Sequence, residues 1–290
     1  MDMIADKSDL PDSDLARAWT AIKVPGPVRE RLLAQSVLAL QLRQRFPFES
    51  MPIHGLIVLS GPPGTGKTTL ARGLANAIAG VIKGAKARFV QIDPHALTSS
   101  ALGRSQKEVA KLFHQVIPEF AADRPCIVLL DEVETLAPDR QRMSLEANPI
   151  DVHRATDAAL AGLDLLTRKH RNVLLFATTN FPKAVDRALM SRADWIEDIG
   201  LPDAEARAEI IVDMLDQLAS AWPHVAALKK QIGALVAASE GLDGRRLRKT
   251  IVSAAARSVE TAQDLNKLKA EHVLATLEDV VKAIPVEKAA

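Results

Sequence analysis

Apolar residues collect in short runs that alternate with longer stretches of helical spacing. Runs bounded by turn residues stand at 56–60, 88–92, 126–130, 172–178 and 195–199, each about the length of a buried strand. After the first run come Leu70, Leu74 and Ile78, and after the second come Val109, Leu112, Phe113, Val116 and Ile117, both at the spacing of one helix face. Strands alternating with helices predict an α/β domain, a parallel five-stranded sheet with helices on both faces. Beyond Leu201 the alternation stops. Ile210, Ile211, Met214, Leu215 and Leu218 make one apolar stripe, Leu228, Ile232, Leu235 and Val236 a second, and Leu277, Val280, Val281 and Ile284 close the chain. These predict a small all-helical domain. Residues 1–18 are short of large apolar side chains and rich in Asp, Ser and Pro, which predicts a mobile tail. The expected organisation is therefore a flexible tail over 1–18, a large α/β domain over 19–201 and a small helical domain over 202–290.

Composition narrows the class. The 290 residues are 48% hydrophobic and 25% charged, enough to bury one large core and a smaller one. A net charge of +1 supplies no global positive field to draw nucleic acid or an anionic membrane. No apolar run approaches the roughly 20 residues of a membrane helix, and the N-terminus lacks the layout of a secretion signal. Cys126 is the single cysteine, so an internal disulfide is excluded, and a cytoplasmic setting is expected. The seven His form no H-E-x-x-H pair, which argues against a zinc enzyme.

One motif carries the chemistry. The run at 56–60 leads directly into Gly61-Pro62-Pro63-Gly64-Thr65-Gly66-Lys67-Thr68, and Thr69 follows inside the helix that carries Leu70. Strand, glycine-rich loop and helix in that order are the context of a phosphate-binding loop. Glycines let successive N–H groups point inward at phosphate oxygens, and the new helix adds the positive end of its dipole. Lys67 is placed to reach the β- and γ-phosphates of ATP, and the Thr68 hydroxyl to ligate Mg²⁺. Such a loop needs a distant acid for the metal and another for water. Asp131 and Glu132, at the end of the apolar run 126–130, supply both: Asp131 for Mg²⁺, Glu132 as general base.

These motifs, with Ala177-Thr178-Thr179-Asn180-Phe181-Pro182 followed by Asp186 and Arg192, resemble the AAA+ ATPases over about residues 19–284. The resemblance implies that Asn180 positions the lytic water and that Arg192 reaches the γ-phosphate of the neighbouring subunit. The family's R-x-G-R context is shortened here to Ser191-Arg192-Ala193-Asp194. That shortening, Asp131-Glu132-Val133-Glu134-Thr135-Leu136 and Gly241-Leu242-Asp243-Gly244-Arg245-Arg246 are similar to the pachytene-checkpoint branch, with its compact bacterial relatives found in antiphage second-messenger systems. The branch implies Arg245 as a sensor of nucleotide in its own subunit. It further implies a homo-hexamer that partially unfolds a HORMA-domain protein, the latter in complex with a nucleotidyltransferase. Read without the motifs, Arg192 is a surface residue paired with Asp194, and Arg245 belongs to a solvated basic face with Arg246, Arg248 and Lys249.

In AAA+ translocases an aromatic and an aliphatic residue precede a Gly in the pore. Here the matching stretch is Ala101-Leu102-Gly103, so Ala101 stands in place of the aromatic and Leu102 is left to grip with less area. The polar segment 138–149 reads as a structureless second pore loop. His54 and Cys126 read as structural residues. Two rival functions stay open at this level: an AAA+ ATPase working on DNA or on a replication or transcription complex, and a non-hydrolysing nucleotide-dependent scaffold. Near-neutral charge argues against the first, and intact Glu132 and Arg192 argue against the second.

Overall fold

The computed structural model of the chain describes residues 3–82, 86–97, 104–140 and 149–284. Six strands form one sheet: β1 (Ile4–Leu10), β2 (Leu56–Ser60), β3 (Ala87–Ile92), β4 (Cys126–Leu130), β5 (Val173–Thr179) and β6 (Trp195–Asp198), in the order β1-β3-β4-β5-β2-β6. The five expected strands lie within one residue of their predicted ends and pair in parallel. Every residue of β2, β4 and β5 is buried, because helices cover both faces of the sheet and leave no side of these strands to water. The long helices Gly26–Arg45, Lys67–Val81 and Pro149–Lys169 connect the strands. Phe89, Phe113 and Phe176 are among the largest fully buried side chains, and Phe113 lies against Gly162, where a β-carbon would come within 2.4 Å of its ring.

The mobile tail expected over residues 1–18 is corrected. From Ile4 to Leu10 the chain is an antiparallel edge strand on β3, with Ser8 opposite Phe89 and Leu10 opposite Ala87, so the sheet is mixed and six-stranded. Burial alternates along this edge strand and ends at the buried Leu10, with the buried Met3 just before it, so few large apolar residues are needed to hold it. The helix Ser13–Ala21 follows, capped by the Asp12 carboxylate, which accepts from the N–H groups of Asp14 and Leu15 at 2.8 and 3.0 Å. Its approach to the helix Lys67–Val81 is close because Gly73 lacks a side chain: a β-carbon there would sit 2.4 Å from the Trp19 backbone.

The chain divides into two compact units. The first comprises Met1–Ile22, Gly26–Gly61 and Lys67–Ile199 and holds the sheet; the second comprises Lys23–Pro25, Pro62–Gly66 and Gly200–Ala290. Within the second, Ile210, Ile211, Leu215, Leu235, Leu247, Ile251, Val273 and Leu277 form a separate apolar core between helices. Asp203 and Asp243 cap the helices Ala204–Ala219 and Gly244–Ser253. Among the described residues no helix is long and apolar enough to cross a membrane.

Candidate nucleotide site

β2, β4 and β5 run side by side in one direction, so their C-terminal ends bring three loops together, the usual place for a ligand in an open parallel sheet. From β2 the backbone enters the phosphate-binding loop at Gly61. Its φ is +141°, and a β-carbon would lie 2.2 Å from the Ile199 carbonyl oxygen, so only glycine lets the loop leave beside the chain following β6. The Ile199 N–H donates to the Ser60 carbonyl at 2.7 Å, which fixes that approach. Gly64 and Gly66 also have positive φ, +86° and +92°. Pro62 and Pro63 are exposed at the turn, and the Thr65 hydroxyl donates to the Pro62 carbonyl at 3.0 Å. The Lys67 side chain folds back inside the loop, 5% exposed, and its ammonium donates to the Gly61 carbonyl at 2.8 Å.

Thr68 is the second residue of the helix that Lys67 opens, with the half-buried Thr69 next in line. The Thr68 hydroxyl donates to Asp131 Oδ1 at 2.8 Å, so the loop and the end of β4 meet at this carboxylate. Positive-φ glycines, a buried lysine and a hydroxyl against a carboxylate are donor types that would suit a nucleoside triphosphate with Mg²⁺. That ion typically takes only one or two protein carboxylates besides phosphate and water. Glu132 follows, exposed, at φ 49° and ψ 55°, the only non-glycine residue with positive φ among those described. The main chain thus turns sharply between the half-buried acid after the strand and the acid facing solvent.

Two positions that stand inside the quoted motifs but received no role there complete this corner. Thr178 on β5 is 2% exposed, and its hydroxyl donates to Asp131 Oδ1 while accepting from the Glu132 N–H at 3.1 Å. Glu134 accepts the Asn180 N–H at 3.1 Å through Oε1, which ties the end of β5 to the turn after β4; its buried Oε2 has no hydrogen-bond partner among the described residues. The available signal was a polar residue at the end of an otherwise apolar run, Val173-Leu174-Leu175-Phe176-Ala177-Thr178, beside an acidic turn.

The arginine pairing differs from the simple surface reading. Arg192 grips Asp164 of the helix Pro149–Lys169 with two bonds, Nε to Oδ1 at 2.8 Å and Nη2 to Oδ2 at 2.9 Å, and Nη1 donates to the Ala188 carbonyl at 2.7 Å. The hydrogen bond from Arg192 holds the Asp164 carboxyl below its usual range, and the same bond raises the guanidinium. Asp194, the partner that reading assigned to Arg192, instead accepts the N–H groups of His54, Gly55 and Leu56 at 2.9, 2.5 and 3.1 Å, at the start of β2. Burial raises its carboxyl and the three amides oppose that. In the second unit, the Arg245 N–H donates to the Gly64 carbonyl at 3.3 Å and its side chain is exposed.

His54 is structural in its surroundings: its ring meets Phe48 edge-on at 5.0 Å and burial lowers its pKa. Cys126 is buried in β4, with its thiol pushed up to about 12 by burial. The candidate grip residues Ala101, Leu102 and Gly103 lie outside the described residues, as do 141–148 of the polar segment. The described start of that segment has structure after all. Pro138 bridges to Val185, the Asp139 N–H donates to the Ala184 carbonyl at 2.7 Å, and Arg140 pairs with Asp186 and Asp157 at 2.7 and 2.9 Å.

The family model for the ATPase family associated with various cellular activities (AAA) matches residues 57–201, the stretch from β2 through β6 that builds this corner. The chain belongs to the AAA family. Among AAA relatives, CD-NTase-associated protein 6 of Pseudomonas aeruginosa is 47% identical over 266 residues, covering 91% of this chain and 88% of that one. The putative pachytene checkpoint protein 2 of Caenorhabditis elegans is 39% identical over 171 residues, 58% of this chain but only 40% of its own length. Two solved structures share the fold. C. elegans PCH-2 superposes with a TM-score of 0.76 over 95% of this chain and 74% of that one, at 24% identity. A chain of the E. coli MS115-1 HORMA:CdnC:Trip13 complex does so with 0.72 over 99% and 97%, at 17% identity. The AAA chain described here is thus related to the pachytene-checkpoint proteins and similar along most of its length to a compact bacterial relative.

Proposed function

We propose that this AAA protein hydrolyses ATP as a subunit of a cytoplasmic homo-hexameric ring and uses the turnover to unfold part of a HORMA-domain protein, releasing it from a peptide or from a nucleotidyltransferase. The observation that carries the ATPase reading is the meeting of Thr68 and Asp131 at 2.8 Å beside the buried Lys67, with Glu132 exposed one residue on. The reading of the target is supported by the 47% identity to a CD-NTase-associated protein and by the shared fold with a chain of a HORMA:CdnC:Trip13 complex.

In this reading the α/β part over 19–201 is the ATPase domain and 202–290 its helical lid. Pro62 to Thr69 hold the phosphates, Lys67 neutralising their charge, while Thr68 and Asp131 hold Mg²⁺. Bound Mg-ATP would supply the phosphoanhydride to be cleaved and the metal charge that stabilises its oxygens. Glu132 takes a proton from water as general base, and Asn180 orients that water. Arg192 must leave Asp164 to serve the site of the next subunit, where a guanidinium offsets developing charge. Arg245 reads the nucleotide in its own chain. Ala101, Leu102 and Gly103 form the surface that grips substrate, and with no aromatic there the grip suits limited unfolding.

Replacing Glu132 by Gln tests the reading. The variant should retain Mg-ATP affinity, lose about 100-fold or more of its steady-state phosphate release, and co-purify with its protein target. Phosphate release at the normal rate would overturn the assignment of Glu132 as base.

A further inference from the structure

We infer that Thr178 is a positioning residue for hydrolysis: its hydroxyl holds the Asp131 carboxylate and the main chain of Glu132 in one arrangement. The inference rests on the roles proposed above for these two acids. Thr178 sits on β5 opposite Leu59 of β2, on a strand between the phosphate loop and the acidic turn, one residue after the pair in which Leu130 faces Ala177. Its side chain is 2% exposed.

The hydroxyl has no freedom in how it is used. A carboxylate only accepts and an N–H only donates, so the bond to Asp131 takes the hydroxyl proton and the bond from the Glu132 N–H takes a lone pair. The two bonds are made by one atom to adjacent residues, and they span the peptide where the chain turns left-handed. A residue with a β-carbon rests at φ 49° only when its surroundings fix it there. The Glu132 carbonyl is held on the other side by the Thr135 N–H at 2.9 Å. Thr178 thereby sets the direction in which the Glu132 side chain leaves the backbone. Thr68 also donates to Asp131 Oδ1, so both hydroxyls land on the same oxygen, and Oδ2 carries neither bond. Loss of the Thr178 hydroxyl leaves the Glu132 N–H without that acceptor and one support gone from Oδ1, while the phosphate loop keeps its own bonds from Thr65 to Pro62 and from Lys67 to Gly61.

The substitutions Thr178→Val, which keeps the branched shape without the hydroxyl, and Thr178→Ser, which keeps the hydroxyl, separate this role from packing. Full-length protein is assayed for steady-state kcat and KM and for affinity toward a fluorescent ATP analogue with Mg²⁺; Thr178→Ala replaces the valine variant if that one does not fold. Expected is a kcat lower by about 10- to 100-fold in T178V, the range seen when a supporting shell is removed. Nucleotide affinity should stay within about threefold of wild type, and T178S should recover at least a third of the rate. A T178V rate within threefold of wild type overturns the inference. So does a T178S variant as slow as T178V, or an affinity loss as large as the rate loss. Glu132→Gln run alongside keeps the two claims apart: normal turnover there sinks the general base, whereas an inactive E132Q beside an unimpaired T178V sinks the positioning role alone.

Discussion

Asp164 and Arg192 show how one pair of side chains carries a pH dependence whose sign follows from geometry. The fork of Arg192 meets both oxygens of Asp164, which keeps the carboxyl ionised to lower pH in the folded chain than in the unfolded one. A depressed pKa means that the unfolded state takes up the proton first. The pair therefore stabilises the fold fully above the ordinary carboxylate range near about 4 and loses that contribution as pH falls through the folded pKa. With the Asp164 side chain 42% exposed, solvent screens the pair, and the effect at pH 7 should stay under about 1 kcal/mol. Urea unfolding of wild type and Asp164→Asn from pH 3 to pH 7 should show a gap that closes toward the acid end. A gap that widens there would contradict the assignment.

β1 is the element whose contribution is easiest to isolate, because it pairs along one edge only. It brings Met3 and Leu10 out of water and covers the outer edge of β3, where Phe89 and Val90 are fully buried. Two side chains of this size contribute about 1.5–3 kcal/mol each when fully buried. Removing residues 3–10 should cost about 3 kcal/mol or more, a fall of roughly 6–12 °C in Tm for a unit of this size. The open β3 edge should also promote association between copies. Calorimetry and light scattering on the truncated protein check both, and an unchanged Tm would mean that the strand adds nothing to the fold. At the opposite edge of the sheet, Arg31 from the helix Gly26–Arg45 pairs with the buried Glu197 of β6.

At the scale of the whole molecule, the proposed ring makes each hydrolytic site depend on two chains. Lys67 and Glu132 come from one subunit and Arg192 from the next. An Arg192→Ala chain keeps its own phosphate loop, and a Lys67→Ala chain keeps its arginine, so each should be nearly inactive alone while their mixture regains turnover. If the subunits mix at random, roughly a quarter of the interfaces join an intact loop to an intact arginine. Phosphate release at a 1:1 ratio should then rise well above the mean of the two separate proteins. A mixture no better than that mean would place Arg192 in its own site or outside the reaction.

The sequence by itself determined the chemistry that is local. Gly61, Gly66, Lys67 and Thr68 act through spacing along a single strand, loop and helix, and unbroken apolar runs mark β2, β4 and β5 because strands covered on both faces tolerate no alternation. Apolar stripes likewise marked the helices Ala204–Ala219, Ile232–Ala238 and Ala270–Lys282 of the second unit, whereas the helix Gly244–Ser253 was not marked by one. Tertiary structure decided what depends on neighbours distant in sequence. Ile4–Leu10 is a strand only because β3 offers it an edge, and its own composition reads as tail. Thr178 becomes a support for two acids because β5 lies beside β4, 46 residues away from the Glu132 amide along the chain. Arg192 finds Asp164 rather than the nearer Asp194, whose carboxylate is already taken by three backbone amides at the head of β2. Period and spacing record which face of an element is covered; the partner that satisfies a buried hydroxyl or charge is fixed only when the strands are set side by side.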